Sequence, residues 1–286
     1  MACAAGALLA TALLWGACAA QAQDTSAPAE LFGTLAKVRA SGSIALGYRQ
    51  SSVPFSFLSP RQEPVGYSVE LCKTLVSSIE EAVNRSLAIR WVPVTAASRI
   101  DAVESGQIDL ECGSTTNNIE RQKRVAFSPT IFVSGTKLMV RKGSAVRSFR
   151  DLAGKRVAVT AGTTNEKALQ DLDRRFQLGM QIIVSPEHAQ SFDLVARGEA
   201  DAFATDEVLL YGLMAQRGAK ADYVVLGDDL SYDPYGIVFR KNDPQLAKVV
   251  RDAFQILAED GEMERQYKRW FLRKLPTGES IDLPMS

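Results

Sequence analysis

VESGQIDLECG (103–113) and VARGEADAFAT (195–205) are two versions of one phrase. In each, a helical stretch ends on Gly and an Asp three residues later opens an apolar run: Gly106 to Asp109, and Gly198 to Asp201. Gly at that place stops a helix. The repeat points to two similar α/β lobes; the alternative is two unrelated helix-to-strand turns. Outward from the echo, strand-like and helix-like segments alternate. Strands are predicted at 43–48, 87–94, 108–112, 156–160, 182–185 and 201–205. Helices are predicted at 69–83, 99–105, from Asn117, at 164–176 and over about 243–273. In helix 69–83, Val69, Leu71, Cys72, Leu75, Val76 and Ile79 fall on the inner side. Regular βα alternation argues for an α/β fold with mainly parallel sheets.

Two segments interrupt the alternation. FSPTIFVSGTKLMV (127–140) is extended, with breaks at Pro129 and Gly135, and GDDLSYDPYGIVF (227–239) is turn-rich and then β-like. If both cross between lobes, 23–134 and 231–286 form one lobe, and 135–230 is a second lobe inserted into it. A two-strand hinge permits closure around a ligand.

The ends of the predicted strands carry the polar groups, and ligands of α/β sheets collect there. ECGSTTNNIERQK (111–123) runs from a strand through Ser114 and Thr116 to a helix start, with Asn117 and Glu120 spaced as a capping box and Arg121 one turn inside. Hydroxyls, free amides and a guanidinium suit a carboxylate or phosphate. A capped helix with an exposed Arg is the plainer reading. TAGTTNEKA (160–168) offers a parallel helix start, with Thr163 and Glu166 as a second capping box. It lacks the glycine run and Lys-Ser/Thr ending of a nucleotide loop. Arg49, Arg99, His188 and Asp206 each follow a strand; a lone His is more often structural, and Asp206 also suits an N-cap. Phe55 and Phe57 suit a pocket wall or, more often, the core. Three Arg and one His against one Asp match a zwitterion with an extra carboxylate. No Gly-x-Ser-x-Gly elbow is present.

The whole chain is electrically neutral, with 33 Lys plus Arg and 33 Asp plus Glu in 286 residues. That excludes the cationic surface a nucleic acid requires. The lone histidine excludes a multi-His zinc site, and neither a metal nor a cofactor is expected. Residues 1–23 carry no charge, and an apolar run, 7–18, leads into Ala20-Gln21-Ala22. We read 1–22 as a cleaved secretory signal peptide; no Lys or Arg follows Met1 to form the usual positive n-region, which leaves a start upstream as an open expectation. A membrane anchor is the alternative. A lipidated Cys18 fits poorly with Trp15 before it. Cleavage leaves Cys72 and Cys112, and export favours a structural disulfide between them over two buried thiols.

The chain resembles the periplasmic solute-binding proteins of polar amino-acid ABC transporters, in the glutamate/aspartate branch. The resemblance rests on GYRQSSVPFSF (47–57), ECGSTTNNIERQKRVAFSPTIFVSGT (111–136), VTAGTTNE (159–166), EHAQSF (187–192) and ADAFATDE (200–207), and runs from Leu31 to Pro276. It implies a two-lobed Venus-flytrap fold of type II, working in the periplasm as a monomer with a membrane permease as partner. It implies Arg121, Ser114 and Thr116 as the α-carboxylate clamp, Thr164 as a contact from the second lobe, and Asp206 as the ammonium acceptor. Arg49, Arg99 and His188 would read the side-chain carboxylate of L-glutamate or L-aspartate. Ala96 stands where relatives often have Ser, and Tyr48 and Gln50 replace a common His and Glu. The chain ends at Ser286, where relatives often continue into a short helical tail. The rival expectations are a cyclohexadienyl- or arogenate-type dehydratase, with His188 or Glu207 as general acid, and an amino-acid sensor ectodomain.

Overall fold

The computed structural model describes Met1 and residues 30–283. The signal peptide assigned to 1–22 therefore lies, apart from Met1, outside the described residues.

Two five-stranded sheets carry the fold. In the first, Ala88–Pro93, Ser43–Tyr48 and Leu110–Glu111 run parallel, and Val238–Arg240 and Val125–Phe127 complete the sheet in antiparallel pairing. In the second, Gln181–Ser185, Arg156–Thr160 and Ala202–Asp206 run parallel, followed by antiparallel Thr136–Arg141 and Tyr223–Val225. Phe132–Ser134 pairs antiparallel with Asp233–Tyr235 where the two crossing segments meet. This is the type II Venus-flytrap architecture with a two-strand hinge. The segment 127–140 breaks at Pro129 and Gly135, as its residues predict: its strands end at Phe127 and Ser134 and restart at Thr136.

The repeated phrase has one structural meaning in both sheets. Gly106 and Gly198 adopt φ of +77° and +75°, which Gly tolerates best. Asp109 Oδ2 then accepts the backbone N–H of Ala45 at 2.9 Å, and Asp201 Oδ2 that of Arg156, also at 2.9 Å. Each Asp ties the middle strand of its sheet to the neighbouring strand. The reading as unrelated turns is set aside.

Helix Tyr67–Val83 lays its apolar stripe on the core. All six residues expected on its inner face are at most 4% exposed. The helix starts two residues before the expected 69. Cys72 on this helix is bridged to Cys112, with Cα atoms 6.1 Å apart. Phe55 and Phe57 belong to the core: Phe55 packs edge-on against Tyr67, Phe132, Tyr235 and Phe271, and Phe57 against Trp270. The long C-terminal helical stretch is divided. Pro244–Glu259 ends near Gly261, whose φ is +73°; Glu262–Tyr267 follows, and a π turn spans Lys268–Leu272. No helix among the described residues is long and apolar enough to cross a membrane.

Candidate functional site

The first wall of the site is cationic. Strand Ser43–Tyr48 delivers Arg49 at its C-terminal end, and helix Arg99–Glu104 begins with Arg99. Both are buried, at 0% and 2% exposure. Arg99 donates from Nη1 to the Ser114 carbonyl at 3.3 Å. Nε of Arg99, and Nε and Nη1 of Arg49, have no hydrogen-bond partner among the described residues. Burial, reinforced by the Arg121 charge, pushes Arg99 down to about 9, so it stays protonated at neutral pH. Arg121 reaches the Thr116 carbonyl through Nη1 at 2.9 Å and the Gly162 carbonyl, on the other wall, through Nη2 at 3.3 Å. Its pKa is lowered by burial, against the pull of Glu111, Asp233 and Asp206.

The helix carrying Arg121 corrects one expectation. It spans only Ile119–Gln122, and its N-cap is Asn118, whose side chain accepts the Arg121 N–H at 2.9 Å. Asn117 instead accepts from Gln122 Nε2 at 2.7 Å. Asn118 is the extended residue directly before the helix (φ −135°, ψ 164°), which is what a cap requires.

Hydroxyls, an amide, an imidazole and a carboxyl make the second wall. Thr163 caps helix Thr164–Phe176 by accepting the Glu166 N–H at 3.1 Å. The reciprocal half of the expected box is displaced by one residue: Glu166 Oε2 accepts from Gly162 N at 2.8 Å. A Cβ on Gly162 would lie 2.5 Å from Ala97 Cα of the first wall, and its φ is +71°. His188 opens helix His188–Ala196, with Nδ1 2.8 Å from Thr160 Oγ1. Burial, then the charges of Arg49 and Arg99, hold its pKa well below the ordinary value, so the ring is neutral. Asp206 occupies the N-cap position of helix Glu207–Gln216 but makes no capping bond. Its carboxyl instead accepts from Asn165 Nδ2 at 2.7 Å and from the Tyr235 hydroxyl. Burial and the nearby Asp233 push Asp206 up to about 7, against the hydrogen bonds from Tyr235 and Asn165.

Six of the eight residues singled out in the sequence line one cavity: Arg99, Ser114, Thr116, Thr164, His188 and Asp206. Thr116 and Thr164 touch across it, hydroxyl to hydroxyl, at 3.2 Å. The cavity is narrow, about 10 Å³, the space of a single water. Arg121 does not line it; its guanidinium bridges the Thr116 carbonyl and the Gly162 carbonyl of the other wall. Arg49 is not on the cavity surface: it is buried beside His188, with Nη2 on Glu187 at 2.9 Å.

Three carboxylates escape a linear reading. Glu111 is fully buried behind the arginines and accepts from Thr115 Oγ1 at 2.5 Å. Asp233, on the hinge strand, accepts from Thr116 Oγ1 at 3.1 Å and from Ser231. Glu187 takes Arg49. The expected excess of three Arg and one His over a single Asp therefore does not hold. Three guanidiniums stand among four carboxyl groups, and His188 is neutral. Glu207, considered as a general acid, pairs with Lys137 at 3.0 Å and lines a separate apolar cavity of about 610 Å³ behind the hinge, with Phe132, Val133 and Tyr267.

With this geometry in hand, the chain can be set beside known proteins. The model of the bacterial extracellular solute-binding proteins, family 3, matches residues 44–273. The L-glutamate/L-aspartate-binding protein of Pseudomonas aeruginosa is 42% identical over 260 residues, covering 90% of this chain and 86% of its own. The glutamate/aspartate import solute-binding protein of Salmonella typhimurium is 40% identical over 244 residues, covering 85% and 81%. Among solved structures, an ancestral amino acid-binding protein that is a precursor of cyclohexadienyl dehydratase superposes with a TM-score of 0.71 at 30% identity, covering 83% of this chain and 99% of its own.

Proposed function

The chain belongs to the bacterial extracellular solute-binding proteins, family 3, and from that membership we propose that it binds L-glutamate or L-aspartate outside the cytoplasm and delivers it to the membrane permease of an ABC importer. The observation that carries the reading is a pair of opposed poles. Arg99, buried and with Nε unpartnered, lines one wall of the cavity, and Asp206 lines the other. A zwitterion complements both, and Arg121, bonded to the Thr116 carbonyl beside the cavity, offers a cation for a second carboxylate. The relatives named for glutamate and aspartate support the choice of ligand.

In this reading Arg121, Ser114 and Thr116 hold the α-carboxylate, Thr164 adds a contact from the second lobe, and Asp206 takes the ammonium. Arg99 meets the distal carboxylate as a cation, Arg49 contributes from behind, and neutral His188 contributes a hydrogen bond. Each charge-assisted contact is worth about 1.5–3 kcal/mol. A few of them, less ordering costs, reach the roughly 8 kcal/mol of a micromolar complex. A cavity of about 10 Å³ admits an amino acid only when its walls part, so binding is coupled to opening and closing at the hinge. We assign 23–134 with 231–286 to one lobe and 135–230 to the other; every strand of the second sheet falls within 136–225. Residues 1–22 are assigned as the export signal, and the protein acts without turnover, as a monomer.

Calorimetry of the ligand-stripped protein against the common amino acids, with prephenate and arogenate included, tests the reading. Binding confined to the acidic amino acids is the expected result. Turnover of either cyclic acid, with no glutamate or aspartate binding, overturns it in favour of the dehydratase.

A further inference from the structure

We propose that Glu187, Arg49 and Ser51 form a clasp that holds the two lobes together, and that this clasp sets how slowly bound ligand leaves. Glu187 occupies the N-cap position of helix His188–Ala196, yet its side chain caps nothing there. It crosses instead to the first lobe, where Oε2 accepts from Arg49 Nη2 and from Ser51 Oγ, both at 2.9 Å. Ser51 returns the exchange: its Oγ accepts the backbone N–H of Ala189 at 3.3 Å. The missing cap of a second-lobe helix is thus supplied by a first-lobe serine. All three bonds join residues 136 to 138 positions apart and break together when the lobes separate.

Two features distinguish this cluster from the contacts across the cavity; the Lys220 tie to Ser280 and Asp282 also joins the assigned lobes, but it lies on the exposed surface. The Thr116–Thr164 and Arg121–Gly162 contacts are made by groups assigned to the ligand, so a ligand replaces or remodels them. Arg49, Ser51 and Glu187 lie off the cavity surface, and the clasp uses only Nη2 of Arg49, so a ligand carboxylate on Nε and Nη1 leaves the clasp's bonds in place. The clasp is also shielded: Arg49 is 0% exposed and the Glu187 side chain 15%, and a charge pair so shielded is weakly screened by salt. Glu187 is accordingly a positioning residue. It fixes Arg49 through one nitrogen and leaves Nε and Nη1 free for a carboxylate.

The inference rests on the binding function proposed above, and the test separates the two. Stopped-flow release of glutamate would be compared in the wild type, Glu187→Gln, Glu187→Asp and Ser51→Ala. Glu187→Gln is expected to speed dissociation about tenfold or more while changing association less than about threefold, because a clasp acts after encounter. Glu187→Asp should recover part of the loss, and Ser51→Ala should show a smaller effect in the same direction. In parallel, spin labels at positions 61 and 171, one on each lobe, report the interlobe distance without ligand; the short-distance population should fall in Glu187→Gln. Dissociation within twofold of wild type, or a loss confined to association, overturns the clasp. If the wild type binds no acidic amino acid, the function reading fails, and an unchanged distance distribution then rejects the clasp on its own.

Discussion

Asp109 takes the N–H of Ala45 in the first sheet, and Asp201 takes that of Arg156 in the second, both at 2.9 Å and both after a Gly of positive φ. On this shared skeleton the walls diverge. The first carries Arg49, Arg99 and Arg121, backed by buried Glu111 and by a disulfide that ties helix Tyr67–Val83 to the strand end just before Ser114. Nine residues of that helix are buried, whereas helix Thr164–Phe176 of the second lobe buries only Asn165 and Leu169. The second wall offers hydroxyls, a neutral imidazole and a carboxyl near its midpoint at pH 7. Fixed charge sits on the better-buttressed wall, and polar groups without permanent charge close over it. Desolvated guanidiniums need a rigid surround to keep their geometry.

The contrast can be broken at several points. The largest expected effect is on stability. Removing the bridge by Cys72→Ser with Cys112→Ser frees a 40-residue separation in the unfolded chain and should cost ~4 kcal/mol in a urea melt. A loss under about 1 kcal/mol would deny the first wall its added buttress. Next come the walls themselves. Arg121→Ala should weaken glutamate binding about 100-fold, Thr164→Ala only about fivefold, as a charged and a neutral donor differ. Equal losses would erase the distinction.

A smaller effect follows from pH. Asp206 at about 7 must shed its proton to accept an ammonium group. Glutamate affinity should therefore rise roughly 25-fold from pH 5.5 to 7.5, with proton release visible in buffers of different ionisation enthalpy. The sign for the free protein is opposite. A carboxyl raised in the fold favours folding at low pH, and that contribution declines from about pH 4 to about 7. Asp206→Asn should flatten the binding profile. The smallest effect compares the twin Asp residues: Asp109→Ala, at a site 3% exposed, should cost about 2–3 kcal/mol, and Asp201→Ala, a third exposed on its side chain, about 1 kcal/mol.

How far the residues foretell this structure depends on the range of the bonds. Strand 43–48 and helix 164–176 end where their local patterns stop, because periodicity and flanking polar residues decide both. Arg99, Ser114, Thr116, His188 and Asp206 were legible because the strand ends of both sheets converge on the cavity, and Thr164 through the family resemblance. Glu111 was hidden inside an apolar strand, with no local sign of a buried carboxylate. Tyr235 and Asp233 sit on a segment that reads as a turn-rich crossing, and their roles arise from bonds to Asp206 and Thr116, the latter 117 positions away. Arg49 was legible as a strand-end cation, but its partner Glu187 is 138 positions distant. The choice of Asn118 over Asn117 as cap turned on backbone angles that two adjacent asparagines cannot reveal.

The cationic wall, in the proposed function, reads a second carboxylate. Calorimetry of wild type and Arg99→Ala against glutamate, aspartate, glutamine and asparagine tests it directly. Arg99→Ala is expected to weaken the two acids at least about tenfold more than their amides, in line with a charge-assisted contact. Equal losses for acids and amides would contradict it.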